Sequence, residues 1–250
     1  MIPNQAPAAD QTIVEHLGEL RTRLLLSVYG LIPAFALCWW QIDNIFEYIS
    51  RPIKPFLPDH KFIIVAPMDM FVAYLQVALV VGVVLTCPWW LYQVWCFVAP
   101  GLYRKEKKFA TLFLLFGTLL FITGIGFAYF LVFPMAFKFL LTFGAENATP
   151  TITVDNYLSF FVSTTLVFGV CFELPLILAI LGMLGIIDRP FLVKNRRYAV
   201  VVLATVSAVV TPPDLLSMMS LLIPLMFLYE LGAIVVGILA PKPGTDITQA

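Results

Sequence analysis

Charge is what this sequence has least of. Of its 250 residues only 12% are Asp, Glu, Lys or Arg, whereas 61% are hydrophobic and the mean hydropathy is +0.95. Such a chain has too little polar surface to cover a water-soluble globule, so lipid must be part of its solvent. The formal net charge is +0 and no basic block exceeds a few residues, which argues against nucleic acid as a partner. Histidine is nearly missing. His16 and His60 fall in different loops and leave little material for a metal site or a histidine-based triad, and no cofactor is expected. The four cysteines, Cys38, Cys87, Cys96 and Cys171, lie inside apolar runs without metal-ligand spacing and read as small buried hydrophobes. Met1 to Gln11 lacks the arginine-rich amphipathic pattern of an organelle transit peptide and reads as a frayed tail.

What the chain does have is long uncharged runs. They read as one polytopic membrane domain over 1–250, an all-α protein of six transmembrane helices with spans at about 24–42, 71–98, 109–137, 156–187, 198–211 and 215–239. Ahead of the first, Thr12 opens a capping box with Glu15, and Ile13, Leu17, Leu20 and Leu24 recur at helical spacing. That pattern predicts a short amphipathic helix along the interface, with Glu19 and Arg23 in the favourable i, i+4 order for an ion pair. The interval Met70 to Tyr103 carries no charge and exceeds one crossing of roughly 20 residues, so the second span tilts, kinks near Pro88 or projects from the bilayer. Gly117, Gly124 and Gly126 permit close helix approach in the third span, whose far end Pro134 and Lys138 mark. In the fifth, Tyr198 to Val210 would rise only about 20 Å against about 30 Å of hydrocarbon.

The stretch Trp89 to Lys108 organises these runs. It gathers aromatics, breaks at Pro100-Gly101 and ends with Arg104, Lys105, Lys107 and Lys108 around one acid, Glu106. Basic residues after an apolar segment mark a cytoplasmic edge, but an acid adds nothing to orientation, so Glu106 is a local ion-pair partner or a docking site for a foreign cation. Counted over all loops, eleven of the 15 basic residues fall on one side, with Arg51, Lys54, Lys61 and Lys138 on the other, which places both termini in the cytoplasm.

Four motifs in order carry a resemblance: His16-Leu17-Gly18-Glu19-Leu20-Arg21; Tyr92-Gln93-Val94-Trp95 running on through Phe97-Val98-Ala99-Pro100-Gly101-Leu102-Tyr103 to Glu106; Phe172-Glu173-Leu174-Pro175; and Thr211-Pro212-Pro213-Asp214. From His16 to Gly237 the chain resembles the TatC family, receptor subunits of the twin-arginine protein translocase. The resemblance implies a six-helix, cup-shaped scaffold in the bacterial inner membrane that is not an enzyme. It implies binding of signal peptides with paired arginines, recruitment of TatA- and TatB-like single-span partners, homo-oligomerisation in the receptor complex and transport driven by the proton-motive force. It maps Glu19, Phe97 and Glu106 onto the signal-peptide site. Ser217-Met218 and Val65 to Asp69 depart from the family pattern.

The chemistry fits from the other direction. Guanidinium groups are recognised by carboxylates in paired planar hydrogen bonds that lysine cannot reproduce, so two arginines want two acids. Glu173, the only acid at the centre of a span, must face water, find a partner or stay protonated, and it is the expected polar contact to a partner's membrane helix or an inserted signal peptide. The alternative is a proton-coupled secondary transporter titrating Glu173, which requires further ionisable partners at mid-membrane. An intramembrane hydrolase would need a nucleophile and base at membrane depth, where neither histidine lies.

Overall fold

The computed structural model describes residues 13–57, 62–98, 110–142, 152–211 and 215–239. The fold is all-α; among the described residues, β pairing is limited to one isolated bridge between Ile63 and Thr153. Helix α1 spans Ile13–Trp40, α2 Ile42–Ser50, α3 Asp69–Leu85 and α4 Cys87–Val98. Then come α5 (Ala110–Phe127), a π turn (Ala128–Val132), α6 (Phe133–Thr142), α7 (Val154–Phe172), α8 (Leu174–Met183), α9 (Arg189–Lys194), α10 (Arg196–Val210) and α11 (Leu215–Leu239). Among the described residues four helical stretches are long and apolar enough to cross a bilayer, and the α3–α4 pair, bent by 58°, makes a fifth. At 15 residues α10 rises about 22 Å, short of the roughly 30 Å of hydrocarbon.

Helix α1 corrects the expectation of a separate interfacial helix. No glycine-proline break separates the amphipathic turns from the apolar run, and Thr22 and Ser27 donate their hydroxyls to the carbonyls of Gly18 and Arg23, both at 3.0 Å. The result is one continuous helix of 28 residues, with Pro33 inside it. Its apolar side chains face outward, Leu24 at 64% and Ile32 at 59% exposure, as expected where the neighbour is lipid.

Helix α5 also runs on past its expected end. The π turn widens the backbone and sets Pro134 in the first turn of α6, where a missing N–H is tolerated, so the helix continues to Thr142. Between α5 and α7 the crossing is close: a Cβ on Gly124 would lie 2.6 Å from the Phe168 carbonyl oxygen and 2.8 Å from the Phe172 ring. Only glycine fits. Gly126 faces open space instead.

Most of the core lies toward the end of the bundle that holds the first loop. Phe133, Phe137, Tyr157 and Phe161 stack there, with Phe133 and Phe161 ring centres 4.9 Å apart. The loop is tied in by Ile63 N–H to Ile152 O (3.3 Å) and Val154 N–H to Ile63 O (3.2 Å). Three hydroxyls close the last turn of α2: Ser50 donates to Phe46 O (2.7 Å), Tyr129 to Tyr48 O (2.6 Å) and Tyr157 to Ile49 O (2.5 Å). Helix ends leave carbonyls without partners, and buried ones must be satisfied. Here tyrosines from α7 and the π turn do it, which locks α2 to the bundle.

Candidate functional site

Helix α4 lies between α1 and α5, and residues two apart on a helix point to nearly opposite sides. Cys87, Leu91 and Trp95 form the ridge toward α5, where Leu91 packs in a cluster with Phe121 and the Trp95 ring lies 4.6 Å from Phe113. Trp89 and Gln93 form the opposite ridge toward α1. The Trp89 indole N–H donates to Leu26 O at 2.9 Å, pinning the two helices together. One turn on, Arg23 Nη1 donates to Gln93 Oε1 at 3.4 Å and Arg23 Nη2 pairs with Glu19 Oε1 at 3.3 Å. Phe97, half-buried, is one further turn along the same ridge.

This end of the bundle therefore holds a guanidinium clamped between a carboxylate and a buried amide. The Glu19 side chain is 22% exposed and Gln93 is 3% exposed, so both are largely withdrawn from water. Arg23 engages Glu19 through one oxygen only. A carboxylate accepts two parallel bonds from a planar fork, so Glu19 retains capacity for a second guanidinium. Sequence reasoning identified Glu19 and its pairing with Arg23 but missed Gln93 as a site residue. The available signal was a primary amide on an otherwise apolar helix, which has to be satisfied when buried. Glu106, the adjoining basic cluster and the side chains of Thr12 and Glu15 lie outside the described residues.

Glu173 sits on the other side of α4. It is the hinge between α7 and α8: its own N–H bonds to Val170 O at 3.1 Å, and its carbonyl receives the N–H groups of Leu176 and Ile177, each at 3.0 Å, so the chain restarts around Pro175. The residue is 6% exposed, and neither carboxylate oxygen has a hydrogen-bond partner among the described residues. A Cβ on Gly117 would lie 3.4 Å from Glu173 Oε2, 2.9 Å from Leu176 Cδ2 and 3.1 Å from Leu91 Cδ1, so that glycine makes the space beside the carboxylate. The freed backbone of this hinge does not satisfy the acid. No second ionisable group bonds to it among the described residues either.

Glu230 on α11, by contrast, is paired with Arg196 at the start of α10 at 2.6 Å. From Glu230, α11 continues to Leu239, and α9 packs beside it with Tyr229 donating its hydroxyl to Leu192 O at 2.9 Å. The polar start of α10 is thus level with a point some 14 Å short of the end of α11.

Together the fold and the paired polar sites define a multi-pass helical membrane protein with an arginine-carboxylate-amide cluster at one end of the bundle and an enclosed acid within it. The family profile described as Sec-independent protein translocase protein (TatC) matches residues 15–224. The chain is 36% identical over 237 residues to the Sec-independent protein translocase protein TatC of Desulforapulum autotrophicum, covering 94% of this chain and 88% of that protein. It is 35% identical over 240 residues to the TatC protein of Aquifex aeolicus, covering 95% and 99% respectively. A crystal structure of the twin-arginine translocase receptor TatC superposes with a TM-score of 0.76 at 34% identity, covering 90% of this chain and 99% of that one. A second, of the same receptor in DDM, gives 0.78. The chain belongs to the TatC family. Its role is that of a receptor component of the twin-arginine protein translocase.

Proposed function

We propose that the end of the bundle bearing Glu19 is where twin-arginine signal peptides bind, with Glu19 and Glu106 taking the two guanidinium groups and Phe97 packing on the peptide. The observation that carries this reading is the Glu19–Arg23–Gln93 cluster. It is a site that already holds one arginine, through a single carboxylate oxygen, in a half-dry setting where charge-assisted bonds are strong. The sequence count of eleven of 15 basic residues on that side supports its being the cytoplasmic face of a bacterial inner membrane, with both termini there and six crossings between. The short α10 and the level of the Arg196–Glu230 pair support a bilayer locally thinned beside α10 and α11.

Glu173 then serves transport rather than docking of the arginines. An enclosed carboxylate with no hydrogen-bond partner among the described residues is matched when a polar group of an inserted signal peptide or of a TatA- or TatB-like helix enters the seam of α4, α5 and α8. Copies of the chain associate within the receptor complex, the protein performs no covalent chemistry, and the proton-motive force drives the cargo. The test is binding of a twin-arginine signal peptide to the purified receptor and to Glu19→Gln and Glu106→Gln variants. Weaker binding in both supports the site; binding at parental strength in both removes it.

A further inference from the structure

At the opposite end of the bundle a recess of about 300 Å³ is lined by Tyr48, Arg51, Pro52, Tyr129, Phe130 and Pro134. Its only ionic group among the described residues is Arg51, which follows the last residue of α2. The Arg51 guanidinium carbon lies 5.0 Å over the Tyr48 ring, and Tyr48 is stacked on Tyr129 with centroids 5.2 Å apart and planes 3° from parallel. A cation on an aromatic face is held in place while its N–H groups stay available. No carboxylate pairs with Arg51 among the described residues, whereas nearby Lys54 is matched by Glu47 at 3.3 Å. Among the described residues the recess thus carries one positive charge with no acid paired to it.

A helix C-terminus normally repels anions through its bare carbonyls. In α2 the end carbonyls of Tyr48 and Ile49 are occupied by the hydroxyls of Tyr129 and Tyr157, so part of the negative charge that would oppose an anion is engaged internally. The outer wall has the opposite character. Phe130 is 71% exposed, and Leu131 and Met135 beside it also face outward on a helix long and apolar enough to cross the membrane. Within the π turn Tyr129 stacks on Tyr48 while the next residue, Phe130, stays outside.

We propose that this recess binds the phosphate of a membrane phospholipid, with Arg51 on the phosphodiester, the tyrosines at headgroup level and the acyl chains along Phe130, Leu131 and Met135. Paired interfacial aromatics and an adjoining lipid-facing helix favour a lipid over a soluble anion. The recess is open and roomy enough to admit a phosphodiester.

The test is native mass spectrometry of the full-length protein, stripped of lipid in a maltoside detergent and titrated with dioleoyl phosphatidylglycerol or with dioleoylglycerol, which has the same chains and no phosphate. The parent retains phosphatidylglycerol roughly tenfold more tightly than dioleoylglycerol, the scale of a charge-assisted bond. Arg51→Gln abolishes that preference, and Phe130→Ala, at an exposed position that does not threaten folding, weakens retention of both lipids. Arg197→Gln, which removes a charge at the other end of the bundle, changes nothing. Equal retention of phosphatidylglycerol by the parent, Arg51→Gln and Phe130→Ala overturns the proposal. Complete displacement of the lipid by inorganic phosphate also overturns it, since the site would then serve a free anion.

Discussion

Replacing Glu19 by Gln keeps the shape of the side chain and removes its charge, which makes it the sharpest probe of the arginine site. In the parent, Glu19 Oε1 is 3.3 Å from Arg23 and the side chain is 22% exposed, so an arriving guanidinium meets a carboxylate that is partly desolvated but not sealed. Loss of one charge-assisted hydrogen bond in that setting costs about 1.5 to 3 kcal/mol, or roughly tenfold to somewhat over a hundredfold in affinity. Residual exposure and competition from Arg23 pull the value toward the lower end. The assay is fluorescence anisotropy of a labelled signal peptide with the receptor in nanodiscs. It is run as a cycle with the parent and the Gln variant against a peptide carrying two arginines and one carrying two lysines. Because the bidentate geometry belongs to arginine alone, the change to lysine should cost less in the Gln variant, with a coupling of about 0.5 to 3 kcal/mol. Additive losses, with no coupling, would mean that Glu19 and the signal's arginines do not meet, and the site would have to be sought elsewhere.

Three further outcomes are expected. Glu173→Ala should leave expression and signal-peptide binding near parental while impairing export, and Glu173→Gln should retain more export than Ala because it keeps hydrogen-bonding capacity; parental export by the Ala variant would leave Glu173 as a hinge residue only. Gly124→Ala puts a methyl 2.6 Å from the Phe168 carbonyl, forcing α5 and α7 apart at a cost of about 1 to 3 kcal/mol, read as a lowered midpoint of thermal unfolding in detergent. In a cysteine-free background, a cysteine at exposed Val65 should react with an impermeant maleimide in intact cells, and one at Lys194 only after permeabilisation; the reverse pattern would invert the topology.

The sequence and the structure part company where contacts are distant along the chain. The i, i+4 order of Glu19 and Arg23 was legible because helical geometry alone brings them together. That a buried Gln93 completes the cluster was not, since it lies 70 positions from Arg23 and meets it only in the packed helix pair that Trp89 pins to α1. Likewise Glu173 stood out as an acid inside an apolar run, and Gly117 as a small residue, but nothing local says that one makes room for the other. The continuous α1 was hidden by a change of pattern, amphipathic before Leu24 and uniformly apolar after it. A change of solvent along one helix, from interface to hydrocarbon, produces that pattern without any break. The hydroxyl caps on α2 come from 81 and 108 residues away and leave no periodic trace.

If the arginine signal is read at the α1–α4 end of the bundle, a bound signal peptide must lie against that end. This is tested most directly by placing a photoreactive amino acid at Phe97 and, separately, at Phe130, then illuminating the receptor in membranes with a signal peptide. Capture is expected from position 97, lost when the two arginines of the peptide are replaced by lysines, with no capture from position 130. Capture from 130 alone, or capture from 97 that is indifferent to the arginines, would contradict that reading.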